Sequence, residues 1–296
     1  MSSLRPLGYV PDVPDAYDYT EHHPKVAIHL ARTRLANRVG TPTAAAPAAP
    51  VNAPAQVDLR QWCSPIEDQG SLGSCTANSA AALLEYFERR TKGTYLDASR
   101  LFIYKATRNM LGWTGDTGAY LRTAMGALVL FGAPPERYWP YDGRPAASNS
   151  RFDVEPSAFL YAYGSNYQAL SYFRLDPAGS SGAQSLANIK AYLAAGFPSM
   201  FGFPVYPEYD HPAPGNLILY PSPTSKSRGG HANVAVGYDD NLVLGNDRGA
   251  LLVRNSWGPG WCNGGYGWMS YRYVTQGLAN DWWTMTSAEW VNSGVF

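Results

Sequence analysis

Hydrophobic positions recur with helical spacing in the first half of the chain, from about residue 57 to about residue 145. The segment SCTANSAAALLEYFERRTKG places its apolar residues on one stripe, ends in basic side chains and stops at Gly93. The members of that stripe are Ala77, Ala80, Leu84 and Phe87. Two further segments, 98–110 and 119–132, also favour helices. We therefore predict a helical unit over residues 57–150.

The pattern changes after about residue 150, where short aromatic and β-branched runs alternate with Gly, Asn and Asp turns. These runs lie at residues 231–240, 250–257 and 266–274. Such a pattern is typical of antiparallel strands. One helix interrupts them, with Ser185 predicted as its N-cap and Gly196 as its end. The predicted fold class is α+β: a helical lobe, then a β-barrel-like lobe over residues 151–296, with a cleft between them.

The first 56 residues resemble neither lobe and form a separate predicted unit. They are polar and rich in Tyr and Pro, with a short helix predicted at residues 25–39. A Pro/Ala/Thr tract follows at residues 40–56. Proline removes hydrogen-bond donors and favours extended chain, so this tract is predicted to be a linker.

Composition excludes several classes of partner. The 296 residues carry 23 basic and 23 acidic side chains, so the net charge is zero and nucleic acid is not an expected partner. No apolar run approaches the length of a membrane span, and the first residues lack the apolar core of a Sec signal peptide. We therefore expect no membrane association, and either a cytoplasmic protein or export by a non-Sec route.

The three cysteines are too few for a disulfide framework and lack paired zinc-ligand spacing. Cys63 and Cys262 flank the same candidate neighbourhood, so a bridge between them is one expectation and two free thiols the other. The acidic segment 239–247 fails the spacing of a calcium loop and is predicted to be a hairpin turn. No metal and no organic cofactor is predicted.

The third cysteine, Cys75, is placed for nucleophilic chemistry. It begins a predicted helix, whose positive end lowers a thiol pKa. His231 enters a predicted strand behind two glycines and is the best-placed base among the five histidines. Asn255 ends the next strand and can orient an imidazole, with Trp257 shielding their hydrogen bond. Gln69 and the Cys75 backbone N–H are candidate oxyanion donors.

The segments QGSLGSCTANS, GGHANVAVGY and VRNSWGPGWCNGGYGWM resemble, in this order, the three active-site blocks of papain-like cysteine peptidases. The resemblance extends from about residue 57 to the end and favours a bacterial branch of the family. It implies a papain-like two-lobed fold with Cys75 as nucleophile, His231 as base and Asn255 as its orienting residue. It further implies that Gln69 is the oxyanion residue and Trp257 the shielding indole.

Two departures from the family pattern alter what the resemblance implies. Leu72 stands where the family usually has a bridged cysteine, and Thr76 stands where a tryptophan usually follows the nucleophile. Separations of 156 residues from Cys75 to His231 and 180 to Asn255 exceed the usual values of about 130–150. We therefore predict inserted loops in the second lobe, which would reshape the substrate pockets.

Substrate contacts are expected along the cleft. The residues predicted to make them are Gly73, Ser74, Thr117, Gly118, Gly202, Gly230, Ala232 and Trp257. Gly202 and Ala232 are small, which leaves room for a bulky apolar side chain in the main pocket. Residues 280–283 are the expected pocket floor.

The predicted function is that of a cysteine endopeptidase, a monomer acting on peptide or protein substrates. Each catalytic candidate taken alone has a structural alternative, such as a buried small hydrophobe for Cys75, but the three ordered motifs together favour catalysis. Two rival functions are a transpeptidase or ligase that uses the same site, and an inactive peptide-binding module.

The N-terminal tail has the traits of a detachable inhibitor, and we predict a zymogen. Papain-like enzymes are usually made with a much longer helical pro-segment, and residues 1–56 do not match its motif. Tyrosine and proline side chains in LGYVPDVPDAYDY can nevertheless fill apolar pockets at low entropic cost. We expect this tail to pack against the cleft and limit access; a leader that makes no such contact is the alternative.

Overall fold

Helices dominate the first part of the structure and strands the second. The computed structural model describes residues 5–32, 53–147 and 149–287. The α-helices of this part are α1 Pro24–Arg32, α2 Cys75–Lys92, α3 Arg100–Leu111, α4 Leu121–Leu130, α5 Ala158–Gly164, α6 Gly182–Ala194, α7 Pro207–Asp210 and α8 Arg272–Thr275. Its β-strands are β1 Gln56–Asp58, β2 Ala169–Arg174, β3 Ser199–Pro204, β4 Leu217–Ile218, β5 Gly230–Leu244, β6 Asp247–Arg254, β7 Tyr266–Ser270 and β8 Asn280–Ser287. The predicted α+β class with two lobes is confirmed.

The helix predicted at residues 74–93 is confirmed as α2, which carries Cys75 at its amino end. Small side chains such as Ala77 and Ala80 are buried along it, and α2 packs against β5. The helix ends at Gly93, whose φ of 67° is a left-handed conformation that glycine adopts without strain. Because small residues permit a close approach, the amino end of α2 meets the start of β5.

The helix predicted from Ser185 begins earlier than expected, so the predicted N-cap is wrong. The N-cap is Ser181, which forms a capping box: its hydroxyl accepts from the Gln184 N–H at 3.3 Å, and its own N–H donates to the Gln184 side chain at 2.8 Å. Gly182 lies in the first turn because a Cβ there would stand 2.5 Å from the Thr275 carbonyl oxygen. Glycine usually indicates a loop, but Gly182 is required in this helix because no larger residue fits against Thr275.

One mixed, mostly antiparallel sheet forms the second lobe, in the order β2-β8-β3-β5-β6-β7-β4, with β1 also paired to β5. The path of this sheet is open over the residues described. In the β3–β5 pairing, His231 is opposite Phe203 and Ala232 is opposite Gly202. Strands β5 and β6 are antiparallel, so the start of β5 lies beside the end of β6. That geometry brings His231 next to the residue that follows β6, Asn255.

The turn predicted at residues 239–247 is confirmed as the β5–β6 hairpin, with Leu244 paired to Asp247. Residue 56, predicted to end the linker, instead begins β1 opposite Asp239. Of the helix predicted at residues 25–39, the described part is α1; its remainder and most of the linker lie outside the described ranges. None of the helices that can be described is long and apolar enough to cross a membrane.

Replacing Ser181 by Ala is expected to lower the free energy of unfolding by about 1 kcal/mol, because the first turn of α6 loses its capping acceptor. The matched control is Ser185→Ala, a substitution inside the same helix where alanine is a better helix former. We expect it to change the free energy by less than about 0.5 kcal/mol. Urea unfolding followed by circular dichroism measures both, and a larger loss for Ser185→Ala would contradict the assigned cap.

Candidate active site

Cys75 lies at the first position of α2, in the groove between the lobes. Its side chain is completely buried, and the backbone N–H groups of Ala232 and Gly8 act to lower the pKa of the thiol. Gly8 belongs to the N-terminal tail and Ala232 to β5. The thiol is therefore enclosed by the tail on one side and by the β lobe on the other.

His231 is fully buried at the start of β5, and its Nε2 lies 2.8 Å from Asn255 Oδ1. The Ser256 backbone N–H also donates to Oδ1, at 2.8 Å, which identifies that atom as the acceptor and Nε2–H as the donor. The Trp257 ring lies 4.8 Å from the imidazole, between centroids. Nδ1 of His231 has no hydrogen-bond partner among the described residues. This nitrogen is available to accept a proton.

Burial controls the charge state of both groups. Desolvation raises the pKa of the Cys75 thiol to about 11, although nearby backbone N–H groups act in the opposite direction. Desolvation lowers the pKa of His231 to about 4, against the stabilising hydrogen bond to Asn255. Both shifts disfavour the charged form. In this closed state the two side chains are a neutral thiol and a neutral imidazole at pH 7.

Gln69 is held in place by the segment that carries Asn255. Its Oε1 accepts a 2.7 Å hydrogen bond from Ser256 Oγ, and its backbone N–H donates to the Ser256 carbonyl at 2.9 Å. Nε2 is thereby directed into the groove, where it donates to the Pro6 carbonyl at 3.3 Å and to the Leu72 carbonyl at 3.0 Å. The sequence analysis does not predict Ser256 as a site residue, although it lies between the predicted Asn255 and Trp257.

The remaining candidates of the helical lobe line the same groove and differ in their hydrogen-bond partners. Gly73 N–H donates to the Asp116 carboxylate at 3.0 and 3.1 Å, and the N–H of Gly118 donates to Tyr104 Oη at 3.0 Å. Thr117 is exposed, and its hydroxyl bonds to the neighbouring carbonyl at 3.1 Å. Asp116 was not predicted. The available signal was its position directly before the predicted Thr117, in the segment TGDTGAY at residues 114–120.

Ser74, predicted to contact substrate, has a buried hydroxyl that bonds to Tyr141 Oη at 2.5 Å and accepts from Asn78 at 3.0 Å. Tyr141 also donates to the Gln69 carbonyl at 3.0 Å. Tyr141 therefore ties the start of α2 to the oxyanion candidate. A substrate contact by Ser74 stays a prediction, with its hydroxyl already engaged inside the lobe.

The tail crosses this groove as an extended chain and pairs with both lobes. Tyr9 N–H donates to the Gly230 carbonyl at 3.2 Å on the β side. On the helical side, Val10 N–H donates to the Ala119 carbonyl at 3.1 Å, and Ala119 N–H donates to the Gly8 carbonyl at 2.9 Å. Ala119, next to the predicted Gly118, was missed because a side-chain motif carries no information about backbone pairing.

Tyr9 fills the pocket predicted from small residues. Its ring lies against Gly202, where an added Cβ would meet ring atoms at 2.0 to 2.4 Å. Its hydroxyl donates to Asn280 Oδ1 at 3.1 Å, within the predicted floor. Ala232, the strand partner of Gly202, is buried beside it. The pocket thus accommodates a large ring that has a polar tip.

The other two thiols are free, so the bridge between Cys63 and Cys262 is not formed. Cys63 is buried with its sulfur 3.8 Å from the Leu59 carbonyl, and the half-buried Cys262 lies 3.6 Å from Asn216 Oδ1. Leu72, at the position of the family's bridged cysteine, is completely buried. Within the described part of the chain, no group of three His, Cys, Asp or Glu side chains is arranged to hold a metal ion.

Alkylation of Cys75 by iodoacetamide is expected to be slow at neutral pH in the full chain, because a pKa of about 11 leaves roughly 0.1% thiolate at pH 8. The rate should rise about tenfold for each pH unit between 7 and 10, since the acid form persists below the raised pKa. Peptide mass spectrometry identifies the modified residue. A rate that is independent of pH between 6 and 9 would contradict the neutral pair.

Known proteins share the sequence and fold of this chain. A crystal structure of xylellain, a cysteine protease from Xylella fastidiosa, superposes with a TM-score of 0.75 and 30% identity, covering 97% of this chain and 99% of that one. An uncharacterised peptidase C1-like protein of Acanthamoeba polyphaga mimivirus is 33% identical over 77% of this chain and 71% of its own length.

Papain of Carica papaya is 27% identical over 73% of this chain, and the match spans only 54% of papain's own length. The family model described as papain family cysteine protease matches residues 53–285, most of the chain. Its boundaries include all four residues predicted to act in catalysis. The chain belongs to the papain family of cysteine proteases.

Proposed function

We propose that this protease is an endopeptidase in which Cys75 is the nucleophile, His231 the proton carrier and Asn255 the residue that orients the imidazole. The observation that carries the proposal is the donation from His231 Nε2 to Asn255, which leaves Nδ1 as an acceptor. The backbone N–H of Ala232, the next residue in the strand, acts to lower the pKa of the Cys75 thiol, so the start of β5 lies beside the nucleophile. We infer that the thiol proton passes to Nδ1 once a substrate replaces the tail.

The reaction follows from these contacts. Nδ1 takes the thiol proton, and the thiolate attacks the carbonyl carbon of a peptide bond. The oxyanion that forms is stabilised by Gln69 Nε2 and by the backbone N–H of Cys75 at the start of α2. The imidazolium then gives its proton to the leaving amine, and water, activated by the same imidazole, releases the acyl group from sulfur.

Each neighbour of the imidazole supports one part of this cycle. Asn255 keeps Nε2 occupied and so selects the tautomer with a free Nδ1 lone pair. Trp257 and Tyr209, whose rings lie 4.8 and 5.8 Å from the imidazole centroid, exclude water from that hydrogen bond. Ser256 orients the Gln69 amide.

Replacing Cys75 by Ser is expected to lower kcat on a peptide substrate by at least about 10³-fold, because the alkoxide is not formed at neutral pH. Asn255→Ala should retain weak activity, lower by on the order of 10²-fold, since the base remains but loses its orientation. Initial rates of a fluorogenic peptide measure both changes.

The matched control for Cys75→Ser is Cys262→Ser, which removes a half-buried thiol outside the proposed mechanism and should keep kcat within about twofold. If Cys75→Ser kept the turnover of the wild type, the assignment of Cys75 as the nucleophile would be wrong. Products joined to an added amine, in place of free acid, would favour the transpeptidase alternative, and a lack of any turnover would favour a binding module.

We further propose that residues 5–12 cover the groove and hold the full-length enzyme in a zymogen state of low residual activity. Gly8 packs directly on the helical lobe beside the nucleophile, where an added Cβ would stand 1.7 Å from the Gly73 carbonyl oxygen. Tyr9 occupies the pocket by Gly202 with only 6% of its surface exposed. Removing the tail would admit water to the groove, which stabilises the thiolate and imidazolium that burial disfavours.

Ion pairs fasten the next part of the tail to the body. Arg122 pairs with Asp12 at 2.8 Å and with Asp18 at 2.7 Å, and Arg174 reaches Asp18 at 3.2 Å. Arg174 is 1% exposed and Asp18 5%, so this attachment is shielded from solvent. These contacts support a tail held in register over the groove.

Tyr9→Ala is expected to raise kcat/KM on a short peptide about tenfold or more, because the tail loses roughly 2 kcal/mol of ring burial. Tyr17→Ala is the matched control, since Tyr17 is 89% exposed in the same tail, and it should leave kcat/KM unchanged. Rates are normalised to the concentration of folded protein, checked by absorbance and circular dichroism. Equal rates for wild type and Tyr9→Ala would remove the inhibitory role.

A further inference from the structure

Arg5 of the tail is held from both lobes at the end of the groove opposite the Tyr9 pocket. Its guanidinium donates to the two carboxylate oxygens of Asp68 at 2.6 and 3.1 Å, and to the Trp257 carbonyl at 3.4 Å. Its backbone carbonyl accepts a 2.7 Å hydrogen bond from Arg228. Both lobes thus bind the side chain, through Asp68 and Trp257, and the β lobe also binds the backbone through Arg228.

Arg228 is held rigidly for this contact. Its Nε and Nη2 donate to the Asp210 carboxylate at 2.8 and 2.6 Å, and its guanidinium lies 5.6 Å from the Trp257 ring centroid. Nη1, the remaining nitrogen, is the one that reaches the tail. Because the bidentate pair fixes the plane of the guanidinium, Nη1 is directed into the groove before any peptide binds.

Asp210 is itself anchored close to the proposed catalytic base. It ends α7, beside the completely buried Tyr209, whose ring lies 5.2 Å from Trp257 and 5.8 Å from His231. This helix belongs to the segment between β3 and β5, in the lobe for which the long sequence spacing predicts inserted loops. The segment supplies groups to the groove.

The position of these groups identifies the part of a substrate that they face. His231 must pass a proton to the leaving amine, so the leaving group lies against the imidazole and the Trp257 that covers it. Asp68 and Arg228 adjoin Trp257. The pocket by Gly202 receives Tyr9, which follows Gly8 in the tail, whereas Arg5 precedes Gly8, the tail residue beside Cys75.

We propose that Asp68 and Arg228 form a subsite for the leaving-group side of a peptide substrate, selective for an arginine or lysine side chain. Asp68 pairs with the cationic side chain, and Arg228 binds a backbone carbonyl of the same segment. The inference rests on the proposed endopeptidase function and adds a substrate class to it. Arg5 is the occupant of this subsite in the closed enzyme.

The competing explanation is a tail anchor that has no role with substrates. The side chain of Asp68 is 47% exposed and that of Arg5 36%, and exposed ion pairs contribute modestly. A bidentate guanidinium–carboxylate pair is nonetheless among the stronger arrangements. The two explanations differ in whether Asp68 discriminates between substrates.

The experiment compares two internally quenched peptides, identical except for Arg or Gln within the first two positions after the scissile bond. In the full-length wild type we expect kcat/KM to be about fivefold higher for the Arg peptide. Asp68→Asn should bring the ratio of the two values close to one. The ratio cancels any general change in tail occupancy, because both peptides meet the same enzyme.

The matched control is Asp142→Asn, which removes an acidic charge near the same groove from a residue that pairs with Arg144. It should preserve the fivefold ratio. A wild-type ratio near one, or a ratio that survives in Asp68→Asn, would overturn the subsite. Failure of the endopeptidase proposal looks different, because neither peptide would then be cleaved by any variant.

Arg228→Gln tests the backbone contact. We expect KM for the Arg peptide to rise several-fold and kcat to fall less, with Arg228→Lys restoring part of the binding through its ammonium donor. Circular dichroism and active-site titration establish that both variants are folded. An unchanged KM in Arg228→Gln would remove Arg228 from the subsite.

Discussion

The hydrogen bond between His231 and Asn255 depends on strand pairing, and most of the site depends on that bond. It forms because β5 and β6 are antiparallel, so the first residues of one strand lie beside the residue that follows the other. The same strand exit supplies Ser256 to orient Gln69 and Trp257 to cover the imidazole. Three consecutive residues thus serve three different parts of the groove.

Desolvation links the proposed chemistry to the proposed control of that chemistry. Cys75 and His231 are both buried while the tail lies in the groove, and burial disfavours both charged forms, so the pair is neutral. The backbone groups that pair with the tail, at Ala119 and Gly230, are groups that an extended peptide would use. On the proposal that the tail inhibits the enzyme, tail and substrate compete for one set of hydrogen-bonding partners, and displacing the tail would restore both solvation and access.

Sequence reasoning found the elements whose signals are local. The helix ending at Gly93 was predicted because helical periodicity and a left-handed C-terminal glycine are readable along the chain. The prediction that Ser185 caps α6 was wrong, because the cap is Ser181. Gly182, which follows this cap, is required only by tertiary packing against Thr275, so its place in the helix has no local signal. Asp116 was missed for a similar reason: its role is to accept from Gly73, which is 43 residues away.

By itself, the sequence determined the family, the two-lobed fold and the identity of the candidate catalytic residues, because short motifs with characteristic spacing encode them. Only the tertiary structure decided which residues of the tail contact which residues of the two lobes across the groove. The tail contacts of Gly8 and Tyr9, and the grip on Arg5 by two lobes, join residues far apart in the chain. Such contacts depend on how whole helices and strands are placed relative to one another. That placement is set by packing in the folded core, so it cannot be read from the local sequence.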